Sequence, residues 1–242
     1  MATSGRGTGM VGYNVQTAVD TRNHLIVSHE VTNVGHDRTQ LASMAAQAQN
    51  AIGKQDLTVV ADRGYFSGTE ILACEELGVT PLVPKPLTSG NRAQGLFDKM
   101  DFIYFAQSDE YQCPAGQRAI WRFTTIEHGL RLHKYWSSAC PACPIKAQCT
   151  TGTNRRIARW EHEDVLERMQ RRLNVWPNPA RLRRQTVEHP FGTLKAWMGA
   201  THFLTKLLPR VSTEMSLHVL AYNLKRIMAI LGTHRLIAAM KA

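Results

Sequence analysis

An α/β fold, a mixed sheet flanked by helices, is what this sequence predicts, and three observations carry the prediction. Strand-like and helix-like segments alternate from Val11 to Pro86. The run Leu57–Val60 ("LTVV") is apolar or β-branched throughout, the composition of a strand covered on both faces. Between about Leu87 and Thr153 the periodicity breaks, Cys, Pro and aromatic residues intersperse, and long helical patterns then resume. At 242 residues the chain can bury a sizeable core. Three parts are expected: 11–86 as the first part of the α/β core, 87–153 as a cysteine-rich insertion, and 154–242 as the helical remainder.

Taken in order, "MATSGRGTGM" is small, polar and Gly-rich and reads as loop or disorder. In "VGYNVQTAVD", Tyr13, Val15, Thr17 and Val19 alternate on one face, which predicts a strand. "TRNH" is a turn that makes Asp20 a hairpin residue, and "HLIVSHEVTN" is the return strand. Asp37 opens a helix with a capping-box pattern, and Gly53 stops it. After Leu57–Val60 comes a helix with Ser67 as its cap and Gly78 as its terminator, then a short strand ended by prolines. Beyond the insertion the chain reads as helical from Arg155. One helix stops before Pro177, a second carries Glu188, and a third buries Met215, Val219, Tyr222, Ile227 and Ile230. Pro190 predicts that the second helix starts or kinks at Glu188.

The net charge of +10 is confined to one end. Residues 1–150 hold 13 Lys+Arg and 13 Asp+Glu, whereas 151–242 hold 16 and 6. An Arg excess on helices fits a polyanionic partner, DNA or RNA. Arg155, Arg156 and Arg159, and then Arg168, Arg171 and Arg172, form two basic clusters suited to backbone contacts. No apolar run is long enough to span a bilayer, and the first residues lack the apolar core of a secretory signal. A cytoplasmic protein is expected.

Asp62 closes the apolar run, at a strand's carboxyl end, where open α/β sheets collect ligand chemistry. A strand-end Asp is also a common cap or ion-pair partner. It gains meaning if a second carboxylate meets it. Glu188 is the candidate: Arg184, Glu188 and Lys195 are offset by four and seven residues, near whole helical turns. Two Mg²⁺ ions held by such carboxylates would stabilise both the attacking and the leaving oxygens in phosphoryl transfer, with Arg and Lys gripping phosphates.

"ADRGYFSG", "GYNVQTAVD" and "VEHPFGTLKAWMG" together resemble bacterial insertion-sequence transposases of the DDE class, over essentially the whole chain. The resemblance implies a ribonuclease-H-like core that cuts and joins DNA with Mg²⁺ or Mn²⁺. Arg184, Glu188 and Lys195 fit the spacing of the Tyr-x2-Arg-x3-Glu-x6-Lys signature of one branch, with Arg181 at the Tyr position. It implies Asp62 and Glu188 as catalytic metal ligands, and Arg184 and Lys195 on the DNA. Arg181, Arg183 and Arg63 are taken as further DNA contacts, and a homodimer on DNA is expected. Only two strands precede the Asp37 helix, so the first strand of the core, with its Asp, is expected upstream. Neither Asp20, as a turn residue, nor Asp37, as an N-cap, is taken to replace that carboxylate. The isolated chain is therefore expected to be nearly inactive. The rival readings are a non-catalytic DNA-binding remnant and a zinc-ribbon nucleic-acid-binding protein.

Cys113, Cys140, Cys143 and Cys149 follow a C-x26-C-x2-C-x5-C spacing within the insertion, and three of them precede proline. They are candidates for a structural Cys₄ Zn²⁺ site, or else are reduced, partly buried thiols. Cys74 and Trp197 read as packed residues. His189 is a candidate phosphate or proton contact.

Overall fold

The computed structural model describes residues 2–3, 11–86, 90–176 and 178–241. It divides into two compact units, Met1–Pro86 with Leu166–Ala242, and Leu87–Val165.

In the first unit, β1 (Ala2–Thr3) pairs with β2 (Val11–Gly12), so the expected leading loop holds a two-residue strand; its other residues lie outside those described. β3 (Asn14–Val19) and β4 (Ile26–Thr32) form the expected hairpin, in register Gln16↔Glu30. Asp20 makes its turn by accepting from the backbone N–H groups of Asn23 at 2.7 Å and Arg22 at 3.2 Å. The helix α1 (Leu41–Ile52) buries Leu41, Met44, Ala45 and Ala48, a helical stripe, and ends at Gly53 with φ 70°. It begins four residues after Asp37, which does not cap it; Glu70 Oε2 instead accepts from Ala42 N–H at 2.9 Å. β5 (Thr58–Val60), α2 (Gly68–Glu76) and β6 (Thr80–Leu82) complete this half, with β5 and β6 parallel. β5 is only half-buried, not covered on both faces as its composition predicts. The two pairs, β3–β4 and β5–β6, share no ladder among the described residues. A cavity of about 420 Å³ has residues of both β3 and β5 along its walls.

The second unit is more regular than its sequence suggests. After the one-turn α3 (Gly90–Ala93), β7 (Ile103–Phe105), β8 (Glu110–Gln112), β9 (Arg118–Glu127), β10 (Leu130–Trp136) and β11 (Ile157–Trp160) form one antiparallel sheet in the order β11-β10-β9-β8-β7. Phe102, Tyr111, Ala119, Tyr135 and Ile157 make its core. Because β11 pairs with β10, the unit runs to Val165, and Arg155–Trp160 is not helical.

α4 (Glu163–Val175), α5 (Pro179–Gly192), α6 (Leu208–Leu231) and α7 (Thr233–Lys241) follow. α5 runs through Pro190 without starting or stopping at Glu188, and a π-helical turn, Thr193–Trp197, succeeds it. α6 buries Val211, Met215, Val219 and Tyr222 against Ile26, Val31 and Leu194. Burial of such side chains contributes roughly 1.5–3 kcal/mol each. Ile230, one residue of the predicted stripe, lies beyond that core and is exposed.

Candidate metal centre

β3 alternates, so Val15, like Tyr13 just before the strand, packs toward the core while Asn14 and Gln16 share the opposite face. Both amides turn to one acceptor. Asn14 Nδ2 and Gln16 Nε2 each donate to Asp37 Oδ1 at 2.8 Å. Gln16 is buried, and its Oε1 accepts from the Tyr65 hydroxyl. Asp37 is thus fixed by its tertiary partners. Its second oxygen takes no part in these bonds.

Asp62 follows β5 and caps the single 3₁₀ turn Arg63–Tyr65, with Oδ1 accepting from Gly64 N–H at 2.8 Å. Its Oδ2 accepts from Arg183 Nη2 at 2.8 Å. Gly64 stands between the carboxylates. A Cβ built there would lie 2.9 Å from Asp62 Oδ1 and 3.4 Å from Asp37 Oδ2. Both acids therefore border one small space that only glycine leaves open. Burial, then Asp37, then Asp62 push the Tyr65 hydroxyl well above its ordinary range, against a smaller pull from Arg183.

α5 faces this region with Leu182, Arg183, Thr186 and Val187, which line the cavity beside Asp37 and Asp62. Glu188, one residue and so about 100° further round the helix, has a side chain 69% exposed and lies 4.0 Å from Arg184 Nε, itself 73% exposed. The predicted Arg184–Glu188 pair exists, as a weak surface ion pair. The extra residue of the π turn takes Lys195 out of the helical register that would stack it over Glu188; its Nζ lies 6.0 Å from the Phe191 ring. Arg63 and Arg181 are exposed. Among the described residues, no three His, Cys, Asp or Glu side chains converge as a metal-holding group. A pair does converge, Asp37 with Asp62. Mg²⁺ is commonly bound by one or two carboxylates, with water and phosphate oxygens completing the shell. The space at Gly64 fits a cation there, whereas the Arg183 guanidinium already on Asp62 would compete with one.

Other predicted contacts are spent on structure. Arg159 is buried over the Tyr104 ring at 3.7 Å, Arg155 lies over Phe102 and Arg156 over Trp136. Arg168 and Arg172 clamp Glu75 at 2.7 and 2.6 Å. Trp197 is 81% exposed, not packed. His189 Nδ1 lies 3.1 Å from the Tyr222 hydroxyl and its ring 5.2 Å from that of His24; burial, then His24, then Arg226 lower its pKa. Cys74 is fully buried, as expected, and burial, helped by Glu70, pushes its thiol to about 12.

In the second unit all four predicted cysteines line one small cavity. Two similar turns present them. Gly116 N–H donates to Cys113 O at 2.8 Å, and Cys143 N–H to Cys140 O at 3.3 Å. The Cys149 thiol is raised, first by burial, with Arg155 opposing and the other three sulfurs adding.

A family model described as a transposase DDE domain matches residues 2–224. No curated protein and no solved structure matches the chain.

Proposed function

We propose, from the premise that this chain belongs to the transposase DDE-domain family, that Asp62 and Glu188 are metal ligands of a DNA-joining active site. The family makes the chain a DNA transposase with a ribonuclease-H-like α/β fold, acting on DNA with divalent metal. The observation that carries the site assignment is Asp62 at the carboxyl end of β5, open to a cavity and held by a cation, Arg183. A bound Mg²⁺ or Mn²⁺ would lower the pKa of a water and neutralise charge at the scissile phosphate. Asp62 offers the strand-end oxygen for it. Glu188 lies on the exposed side of α5 in the free chain, and what supports it as a ligand is its spacing, four residues after Arg184 and seven before Lys195. Arg183, released from Asp62, then meets a phosphate, with Arg63, Arg181, Arg184 and Lys195 around it. Arg63, Arg181, Arg184 and Lys195 are exposed in the free chain, as phosphate contacts would be.

A third carboxylate belongs to this scheme. Asp62 and Glu188 supply two of the three, so the site is read as partial. By that reading the isolated chain turns over at or near background, and the working form is a homodimer assembled on DNA in the cytoplasm. The four clustered cysteines are taken as a structural Zn²⁺ site with no open coordination position. The four share one cavity and two matching turns, but among the described residues no three of them stand close enough together in the free chain to form a metal-holding group.

The test is strand transfer by the purified chain with Mg²⁺ or Mn²⁺, beside binding of duplex DNA across a salt series. Binding is expected to weaken with salt, by a slope of about 0.9 per phosphate contacted. Any turnover must vanish in Asp62→Asn and in Glu188→Gln. Turnover that persists in Asp62→Asn rejects the site, and robust turnover by the parent chain rejects the partial-site reading.

A further inference from the structure

We infer that Asp37 is a second carboxylate of the cation site at Asp62, with Gly64 keeping the space between them open. The inference rests on the metal reading of Asp62 above and extends it to a residue that a local reading makes a helix cap.

Asp37 does no capping work: α1 starts at Leu41, and its orphan Ala42 N–H is satisfied by Glu70. What holds Asp37 is a pair of side-chain amides from β3. Two donors on one oxygen fix the carboxylate plane and leave Oδ2 as the outward-facing atom. That atom and Asp62 Oδ1 lie 3.4 and 2.9 Å from the same point, the place a Cβ would take on Gly64. Two anions aimed at one small space repel each other unless a positive charge sits with them. The guanidinium of Arg183 reaches Asp62 Oδ2 on one side. Among the described residues, Arg183 bonds Asp62 and makes no bond to Asp37.

The donor set suits a hard cation. It consists of carboxylate oxygens, one of them stiffened by Asn14 and Gln16, and the Tyr65 hydroxyl stands behind Gln16 to fix the amide in turn. Supporting groups of this kind set ligand orientation, and their loss commonly costs ten- to a hundredfold in metal affinity. Mg²⁺ and Mn²⁺ are the ions this pairing fits, with water filling the remaining positions.

The experiment is an Mn²⁺ titration of the full chain without DNA, read by electron paramagnetic resonance of the free ion. Four variants are compared with the parent: Asp37→Asn, Asp62→Asn, Gly64→Ala and Asp20→Asn. Asn at position 37 keeps an oxygen for Asn14 and Gln16, so the fold is retained and melting is unchanged. Asp37→Asn is expected to weaken Mn²⁺ at least about tenfold, as is Asp62→Asn. Gly64→Ala keeps both charges and fills the space, and is expected to do the same. It decides the matter if Asp37→Asn unfolds. Asp20→Asn, which removes a carboxylate elsewhere on the cavity wall, is expected to bind as the parent does. Loss in Asp62→Asn with parental binding in both Asp37→Asn and Gly64→Ala overturns the role of Asp37 and leaves Asp62 standing. Parental binding in Asp62→Asn as well, or no Mn²⁺ bound by the parent, overturns both.

Discussion

Arg183 donates from Nη2 to Asp62 Oδ2 at 2.8 Å, joining α5 to the end of β5 across 121 residues. The two side chains are 30% and 41% exposed, so the pair is worth about 0.2–1 kcal/mol. A metal at Asp62 competes with that pair. Arg183→Gln should therefore tighten Mn²⁺ binding by roughly 1.5- to 5-fold in the absence of DNA, while weakening binding to duplex DNA. Calorimetric titration with Mn²⁺ and anisotropy with labelled DNA measure the two effects; Mn²⁺ affinity that falls in this variant would contradict the competition.

Asn223 on α6 exchanges two hydrogen bonds with the backbone of Ile26, at 2.9 and 2.8 Å, and so behaves toward β4 as a neighbouring strand would. Its removal strands a donor and an acceptor beside the core. Asn223→Ala should cost about 1–3 kcal/mol of stability, read as a lower urea midpoint with unchanged slope. An effect within experimental error would show that water replaces both bonds.

Glu214 ties the segment before α6 to the helix. The Thr205 hydroxyl, the Leu204 N–H and the Thr205 N–H donate to it, outweighing burial, and hold its carboxyl at about 2. A folded-state value below the ordinary 4.5 means that its contribution is complete above pH 4.5 and is lost as the pH falls toward 2. The parent chain should lose stability through that window more steeply than Glu214→Gln, in melts run at intervals of pH. Parallel curves would remove Glu214 from the acid response.

Zinc should be found equimolar with chain in protein refolded in its presence. Cys143→Ser should abolish that content and lower the melting temperature. Refolded protein free of zinc would leave the four cysteines as reduced thiols.

The placement of Asp62 at the end of β5 was legible because an apolar run ending in one carboxylate is a local pattern. The pair of amides that holds Asp37 was not. The capping-box spacing of Asp37 gave a sufficient local explanation, and the competing one depends on Asn14 and Gln16, more than twenty residues away, sharing a face across a hairpin. Tyr13 and Val15 alternating with those two amides was the available signal. The α6 stripe at Val211, Met215, Val219 and Tyr222 could be read from spacing, but nothing local says where the core beneath a helix ends, and so Ile230 was misplaced. The sheet of the second unit was hidden for another reason. On β9, Ile120, Trp121, Phe123 and Ile126 are all exposed, so the alternation of buried and exposed residues that marks a strand is missing. The basic clusters were real as sequence, but aromatic rings and Glu75 engage most of their charge.

The π turn at Thr193–Trp197 has a consequence for any attempt to edit this region. Such a turn accommodates one amino acid more than the α-helix around it. Deleting a single residue there would wind the segment back into step and swing Lys195 and Trp197 around the axis, whereas a substitution would leave their heading untouched. Length, more than side-chain identity, sets where those two groups point.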